Sequence, residues 1–211
     1  MEDYRTIRGT AVGEYEEKKS RFIAQLSFAD SEEKAVAFLE QVRAANRTAR
    51  HNVYAYRLRE GSRERYSDDG EPGGTAGLPM MEVLKHQGVV NCCCVVTRYF
   101  GGVLLGANGL VRAYSHSTAL AIENAQVKVM LPCYPVSIQT DYALYGKIAY
   151  HLPQEDILQL DTIFEDQVEL KLLVRDTLWE PLKKELIELT SGQVEIVSGG
   201  LQYADFSKAK K

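Results

Sequence analysis

The residues whose types and spacing could do chemistry lie first in a loop from Ser67 to Gly77. This loop combines three carboxylates with four glycines in eight positions, and its candidate binding residues are Ser67, Asp68, Asp69, Gly70, Glu71, Gly73, Gly74, Thr75 and Gly77. Clustered glycines can leave successive backbone N–H groups free to bind an anion, but carboxylates repel phosphate unless Mg²⁺ or an arginine intervenes. Three interpretations stay open: carboxylates that cap backbone N–H groups, contact with a ligand or partner, and a metal-dependent catalytic site.

A second glycine cluster follows an apolar run and precedes a predicted helix, which is the setting in which glycine-rich loops bind phosphates. Its candidate residues are Arg98, Tyr99, Gly101, Gly102, Gly106 and Gly109. Their spacing matches neither G-x-G-x-x-G nor G-x-x-x-x-G-K-[ST]. Arg98 and the nearby Arg112 could supply positive charge to a phosphate site. Alternatively, Arg98 could form an ion pair with Asp69 that locks the two loops together.

An arginine-rich segment precedes both loops. Residues 43–65 hold seven arginines and two glutamates, a local charge of +5 in a chain of net charge −4. These candidate RNA-binding residues, called here the arginine ribbon, are Arg43, Arg47, Arg50, Arg57, Arg59, Arg63 and Arg65. Tyrosines and a histidine are interleaved with them, and arginine with aromatic rings suits phosphate contact and base stacking. The alternative is a solvated sheet edge whose charge opposes aggregation.

The cysteines and histidines indicate no metal site. Cys92 and Cys94 would share one face of a strand while Cys93 points to the other, and no C-x-x-C spacing occurs. Buried apolar packing therefore explains these thiols best. The four histidines lack the spacing of a zinc site, and nothing in the chain specifies a reaction. We expect no metal and no cofactor.

Composition indicates a globular protein, since 45% of the 211 residues are hydrophobic and 26% are charged. The chain begins without the apolar segment of a secretory signal, and the longest apolar run, Val89–Val96, is too short to span a membrane. The cysteine pattern does not resemble a disulfide framework. We therefore expect a cytoplasmic protein with no membrane contact.

Charge and prolines divide the chain into two predicted domains. Net charge changes from +1 over residues 1–132 to −5 over residues 133–211, and Pro132 and Pro135 lie at the change. Because proline disfavours the continuation of either helix or strand, we predict a domain boundary there. A short lysine-rich tail, residues 208–211, is expected to fray.

Hydrophobic periodicity predicts an α+β fold for both parts. In the first domain the predicted strands are Thr6–Tyr15, Ser20–Phe28, Asn52–Arg59 and Val89–Val96, and helices cover the sheet. The second domain should contain, in order, strand Tyr134–Thr140, helix Tyr142–Leu152, strands Leu158–Phe164 and Val168–Val174, a helix around Trp179–Leu189 and strand Val194–Val197. The order β-α-β-β-α-β is typical of a ferredoxin-like sandwich.

Three segments together resemble the IMPACT/YigZ family. They are the first loop (SDDGEPGGTAGLP, residues 67–79), the second loop (VVTRYFGGVLLGANGLVRAY, residues 95–114) and an opening strand (KSRFIA, residues 19–24). The resemblance implies a first domain with the βαβ fold shared by a ribosomal small-subunit protein and elongation factor G. It also implies a second domain similar to a C-terminal domain of elongation factor G, no established catalytic activity and a link to translation.

These observations predict a non-enzymatic cytoplasmic regulator that binds RNA or a ribosome-bound translation factor. One alternative is a phosphohydrolase or phosphotransferase, with Mg²⁺ held by Asp68, Asp69 and Glu71 and phosphate held by the second loop. A further alternative is a protein–protein adaptor. RNA contact requires the arginine ribbon to be exposed beside the loops, whereas an enzyme requires carboxylates that converge in a concave pocket.

Overall fold

The computed structural model describes residues 2–153 and 156–207. The chain divides into two compact units, Tyr4–Lys128 and Val129–Lys211 together with Met1–Asp3. The lysine-rich tail, residues 208–211, lies outside the described residues. Among the residues that are described, no helix is long and apolar enough to cross a membrane.

The first unit is built on a five-stranded antiparallel sheet. The strands, in their order across the sheet, are β2 (Thr10–Glu17), β3 (Ser20–Phe28), β6 (Cys92–Tyr99), β4 (His51–Arg57) and β5 (Glu64–Ser67). A separate strand, β1 (Tyr4–Arg8), precedes them. The single strand predicted at the start of the chain is wrong, because Gly9 adopts a φ of +66° and ends β1 before β2 begins.

Helices cover both faces of this sheet. Helix α1 (Glu32–Ala45) packs on one face, and α2 (Gly77–His86) and α3 (Ala107–Glu123) pack on the other. Strands β3 and β4 each pair antiparallel with β6, so β3-α1-β4 forms a split βαβ unit around the central strand. Both faces of β6 are therefore buried.

The three adjacent cysteines lie on this central strand. Cys92 and Cys94 pack towards α2 and α3, and Cys93 packs towards α1, which confirms the predicted alternation. Burial raises the pKa of Cys92 and of Cys94 to about 12. These thiols are core side chains.

The second unit has the predicted β-α-β-β-α-β order. Its elements are β7 (Gln126–Thr140), α4 (Tyr142–His151), β8 (Ile157–Phe164), β9 (Val168–Arg175), α5 (Asp176–Leu189) and β10 (Glu195–Ser198), followed by β11 (Gln202–Asp205). The strands are ordered β8-β9-β7-β10 across an antiparallel sheet. Trp179, Leu182 and Leu186 of α5 pack onto it. The result is a ferredoxin-like sandwich with one additional strand, which the sequence did not predict.

Proline does not interrupt the chain where the sequence predicted it. Strand β7 runs through Pro132 and Pro135, and the division between the compact units falls four residues before the expected boundary. The Pro135 carbonyl accepts a hydrogen bond from Gly199 N at 2.8 Å. The edge of Pro135 that lacks an N–H therefore faces the gap between β10 and β11, where no ladder hydrogen bond is lost. The ladder between β7 and β9 stays continuous through this residue.

Candidate functional site

Asp68 holds the first glycine-rich loop together. Its Oδ1 accepts hydrogen bonds from the backbone N–H groups of Ala76 at 3.0 Å and Gly77 at 2.8 Å. Its Oδ2 accepts from Gly74 N at 2.8 Å. Of the interpretations open for this carboxylate, the structure therefore shows the capping role: Asp68 satisfies the loop and the first turn of α2.

Asp69 fastens the same loop to its neighbours. Its Oδ2 accepts from Asn52 N at 2.7 Å, and its Oδ1 accepts from Arg43 Nη2 at 3.1 Å. His51 Nδ1 lies 2.8 Å from the Asp69 carbonyl oxygen and must donate to it, because a carbonyl only accepts. The loop is thus anchored to the start of β4 and to α1.

Glu71 is the buried carboxylate of the loop. Its Oε1 accepts from Arg98 Nη1 at 2.7 Å and from the Tyr114 hydroxyl at 2.8 Å. The ion pair is almost closed to solvent, with side chains 3% and 7% exposed. Arg98 thus pairs with Glu71 and not with Asp69, so the contact that the sequence suggested is wrong although the locking of the two loops is real. Burial, followed by the charge of Glu71, raises the pKa of Tyr114 well above its ordinary value.

The three carboxylates do not converge. Asp68 faces backbone N–H groups, Asp69 faces Asn52 and Arg43, and Glu71 faces Arg98 and Tyr114. Within residues 2–153 and 156–207, no group of three or more histidine, cysteine, aspartate or glutamate side chains is arranged to hold a metal ion. The geometry therefore gives the Mg²⁺-dependent alternative no assembled ligand set.

The remaining candidates of the first loop serve its shape. Ser67 Oγ accepts from Asp69 N at 3.2 Å, and Thr75 Oγ1 donates to the Pro72 carbonyl at 2.7 Å. Gly77 lies against the chain, since a Cβ there would be 2.8 Å from the Ser67 carbonyl. The other glycines, Gly70, Gly73 and Gly74, are exposed on the turn.

The second glycine-rich loop lies against the turn between β2 and β3. A Cβ on Gly101 would overlap the backbone of Lys19 and Ser20, and Gly101 N donates to Ser20 Oγ at 3.1 Å. The loop ends at Gly106, the N-cap of α3, where no side chain caps the helix. Close backbone approach explains the glycine at 101.

A cavity of about 350 Å³ lies between the two loops. Arg50, His51, Glu71 and Arg98 provide its polar lining, and the first turn of α3 also faces it. Apolar side chains complete the lining: Pro72, Phe100, Leu104, Leu105 and Leu110. The sequence had identified the glycines around this cavity but had missed its aromatic and leucine side chains and the buried Tyr114. The leucines between Gly102 and Gly106 were the signal that the sequence offered for Leu104.

Most of the arginine ribbon is used in internal contacts. Arg57 donates to Glu64 and to the carbonyls of Leu84 and Val89, at 2.9 to 3.2 Å. Arg63 and Arg65 pair with Glu32 at 3.6 and 2.8 Å. These contacts hold the β4–β5 side of the sheet to α1 and α2, which makes Arg57 a structural residue.

The four remaining arginines of the ribbon differ in whether they have a partner. Arg43 pairs with Glu40 and Asp69, and the Arg59 guanidinium lies 4.5 Å from the centre of the Tyr4 ring. Arg47 and Arg50 are exposed, and neither has an acidic partner among the residues that the structure describes. Both lie between α1 and β4, and Arg50 lines the cavity.

Tyr99 holds this arginine-bearing segment in place. Its hydroxyl donates to Asn46 Oδ1 at 2.9 Å, which joins the end of β6 to the end of α1. The structure therefore brings together the two glycine-rich loops, Arg98 and Arg50 around one cavity, and Tyr99 holds the segment that carries Arg50. It separates them from Arg57, Arg59, Arg63 and Arg65.

The fold and this loop pair define a two-domain α+β protein, and comparison with known proteins assigns its family. Residues 18–122 match the Impact N-terminal domain, and residues 138–193 match a domain of unknown function, DUF1949. IMPACT family member YvyE of Bacillus subtilis is 34% identical over 97% of this chain and 95% of its own length. IMPACT family member YigZ of Escherichia coli is 33% identical over 86% of this chain and 90% of its own length.

A solved structure agrees with this assignment. A crystal structure described as that of a hypothetical protein superposes with a TM-score of 0.60 and 32% identity, covering 95% of this chain and 98% of that one. The chain belongs to the IMPACT family. This membership fits a role associated with the regulation of translation.

Proposed function

We propose that this protein is a cytoplasmic, non-enzymatic regulator associated with translation, and that its first unit binds RNA. The binding surface comprises the segment between α1 and β4 and the two glycine-rich loops. Family membership supports the association with translation. A ribosome-bound protein as the partner, which would make the chain an adaptor, is the alternative outcome of the test below.

The observation that carries the proposal is the pair of exposed arginines, Arg47 and Arg50, of which Arg50 lines the cavity at the N-terminus of α3. Neither arginine is neutralised by an acidic neighbour among the described residues, although the chain as a whole is negative. The helix end adds a partial positive charge and free N–H groups. Local positive charge on an acidic protein favours a specific polyanion contact over general coating by charge.

The contacts of the acidic side chains support binding without catalysis. Asp68 and Asp69 satisfy backbone N–H groups, and the charge of Glu71 is balanced by Arg98. Carboxylates used in this way do not form the set of ligands that two-metal or one-metal phosphoryl chemistry requires. No observation favours the phosphohydrolase alternative.

The test is binding of a labelled single-stranded RNA, and co-sedimentation with ribosomes, across a salt series. Removing one arginine–phosphate interaction should flatten the log–log salt dependence by about 0.7 on single strands and about 0.9 on duplex. Replacing Arg47 and Arg50 together by alanine should therefore weaken binding and reduce the slope by about one to two units.

Arg63 and Arg65 provide the matched control, because they are also exposed, at 66% and 67% of their side-chain surface, but pair with Glu32. Their double alanine variant should keep the wild-type slope. Equal effects of the two double variants would refute the proposed surface. Ribosome binding that persists without any affinity for RNA would instead identify a protein partner.

A further inference from the structure

We propose that the cavity between the two glycine-rich loops binds a single unpaired nucleotide, with its phosphate at the N-terminus of α3 and its base against Phe100 and Leu104. This inference rests on the proposed RNA-binding function and specifies how the RNA is held. The cavity volume of about 350 Å³ lies at the lower end of small-ligand sites, and suits one nucleotide better than a duplex.

One side of the cavity is suited to a phosphate. Helix α3 has 17 residues and begins at Gly106 without a side-chain cap. Its first helical backbone bond is donated by Leu110 N to Gly106 O, so the N–H groups of the preceding three residues have no partner within the helix. Arg50 lines the same cavity and adds a full positive charge.

Arg98 provides an independent observation that the cavity is built for a ligand. This side chain lines the cavity, is only 6% exposed and leaves its buried Nε without a hydrogen-bond partner among the described residues. A buried guanidinium N–H without an acceptor is costly, and each such group calls for an explanation. An oxygen-rich ligand in the cavity would add a second acidic partner, beside Glu71, for a guanidinium that lines the cavity.

The other side of the cavity is suited to a base. Phe100 is 46% exposed and Leu104 is 82% exposed, and both line the cavity, so that apolar surface faces the space beside its charged groups. The Phe100 ring is held in place because the Arg98 guanidinium carbon lies 5.6 Å from its centre. Unpaired bases bind proteins by stacking on aromatic rings held in this way.

Glu71 adds a hydrogen-bonding group between these two sides. Both of its hydrogen bonds are accepted by Oε1, so its Oε2 has no donor among the described residues. A carboxylate oxygen beside a base accepts from an amino or imino N–H. The cavity thus offers a cationic end for phosphate, an apolar wall for the ring face and an acceptor for the ring edge.

The experiment compares four small probes by titration calorimetry on the full chain: adenosine 5′-monophosphate, ribose 5-phosphate, adenosine and inorganic phosphate. The mononucleotide should bind at least about fivefold more tightly than either ribose 5-phosphate or adenosine, since stacking and phosphate contact both contribute. Equal affinity for the mononucleotide and inorganic phosphate would overturn the proposal. So would an absence of mononucleotide binding.

Variants separate this inference from the function on which it rests. Phe100→Ala and Leu104→Ala should weaken mononucleotide and RNA binding by about fivefold or more, while leaving the salt slope unchanged, because neither removes a charge. Val103→Ala is the matched control, since Val103 is 47% exposed on the same loop but does not line the cavity. If Phe100→Ala binds RNA like the wild type while the Arg47 and Arg50 variant still shows a flatter slope, the RNA surface stands and the nucleotide cavity is wrong. If no variant changes binding, both are wrong.

Discussion

Arg98 Nη1 donates to Glu71 Oε1 at 2.7 Å, and this buried ion pair joins the two glycine-rich loops across 27 positions of sequence. Tyr114 donates to the same oxygen, so one carboxylate connects the first loop, the end of β6 and the middle of α3. Each loop thus maintains the shape of the other. Both Glu71 and Arg98 also line the cavity between the loops.

Removing the charge of Glu71 should destabilise the first unit. Glu71→Gln leaves Arg98 buried without a counter-charge, and we expect a loss of about 3 kcal/mol in the free energy of unfolding. Urea denaturation measures this loss. Glu14→Gln is the control, because Glu14 and Arg21 are 59% and 55% exposed and such pairs contribute about 0–1 kcal/mol. Equal effects of the two variants would show that the buried pair has no special role.

The glycines of the second loop should differ sharply in tolerance. Gly101→Ala would force a Cβ into the backbone of Lys19 and Ser20, and we expect a loss of about 3 kcal/mol or more. Gly102→Ala meets no atom but retains a φ of +85°, which costs about 1 kcal/mol. Gly73→Ala should be nearly neutral, because a Cβ there meets no atom and the residue does not have a positive φ. Thermal melts of the three variants should follow this order, and a different order would contradict the close approach at Gly101.

Asp68→Ala should open the first loop. The change removes the acceptor for three backbone N–H groups, those of Gly74, Ala76 and Gly77, at a cost of about 2 kcal/mol. Hydrogen exchange at Ala76 and Gly77 should accelerate in the variant. Asp30→Ala, which removes only an exposed ion pair with a lysine, is the control. Unchanged protection of these amides would mean that the loop keeps its shape without Asp68.

The second unit should be more stable as an isolated fragment when β7 is complete. A fragment of residues 126–211 retains Met130–Cys133, with which β11 pairs, whereas a fragment of residues 133–211 lacks most of them and the core side chain of Leu131. We expect the shorter fragment to be less stable by about 2 kcal/mol or more. The chain has one tryptophan, Trp179, which is buried in this unit and reports the urea transition by fluorescence. Coincident transitions would show that β11 contributes nothing.

The cysteines should be unreactive in the native protein. All four are buried, and burial raises the pKa of each thiol, to about 12 for Cys92 and Cys94. The reactive thiolate is therefore scarce at pH 8. A colorimetric disulfide reagent should titrate fewer than one thiol per native chain and four in urea.

The raised pKa values of these thiols also set the direction in which the free energy of unfolding changes with pH. Between pH 9 and about pH 12 the unfolded chain releases thiol protons that the folded chain retains, so stability should fall as pH rises through this range. A Cys92→Ala, Cys94→Ala variant should show a smaller fall. Rapid native labelling at pH 8 would contradict the burial of these thiols.

Local sequence was sufficient to predict a strand, helix or loop wherever the side-chain pattern lay within that one element. The alternation of Cys92, Cys93 and Cys94 predicted a strand buried on both faces, and apolar spacing predicted the ferredoxin-like order of the second unit. The two glycine-rich loops were also identified, because glycine clusters have few explanations other than close approach or an unusual backbone. The resemblance to the IMPACT family rested on these loops and is confirmed.

Tertiary structure decided every question that depended on a distant neighbour. Pro135 could remain within a strand because Gly199, far along the chain, lies opposite its missing N–H. Arg57 and Arg50 look alike in the sequence, but Arg57 meets Glu64 and two carbonyls while Arg50 meets none of these. Glu71 pairs with Arg98 because the fold places Arg98 Nη1 2.7 Å from Glu71 Oε1. Side-chain type states what a residue can bind, but only the packed chain determines which partner is within 3 Å, and that distance separates a structural ion pair from a free charge.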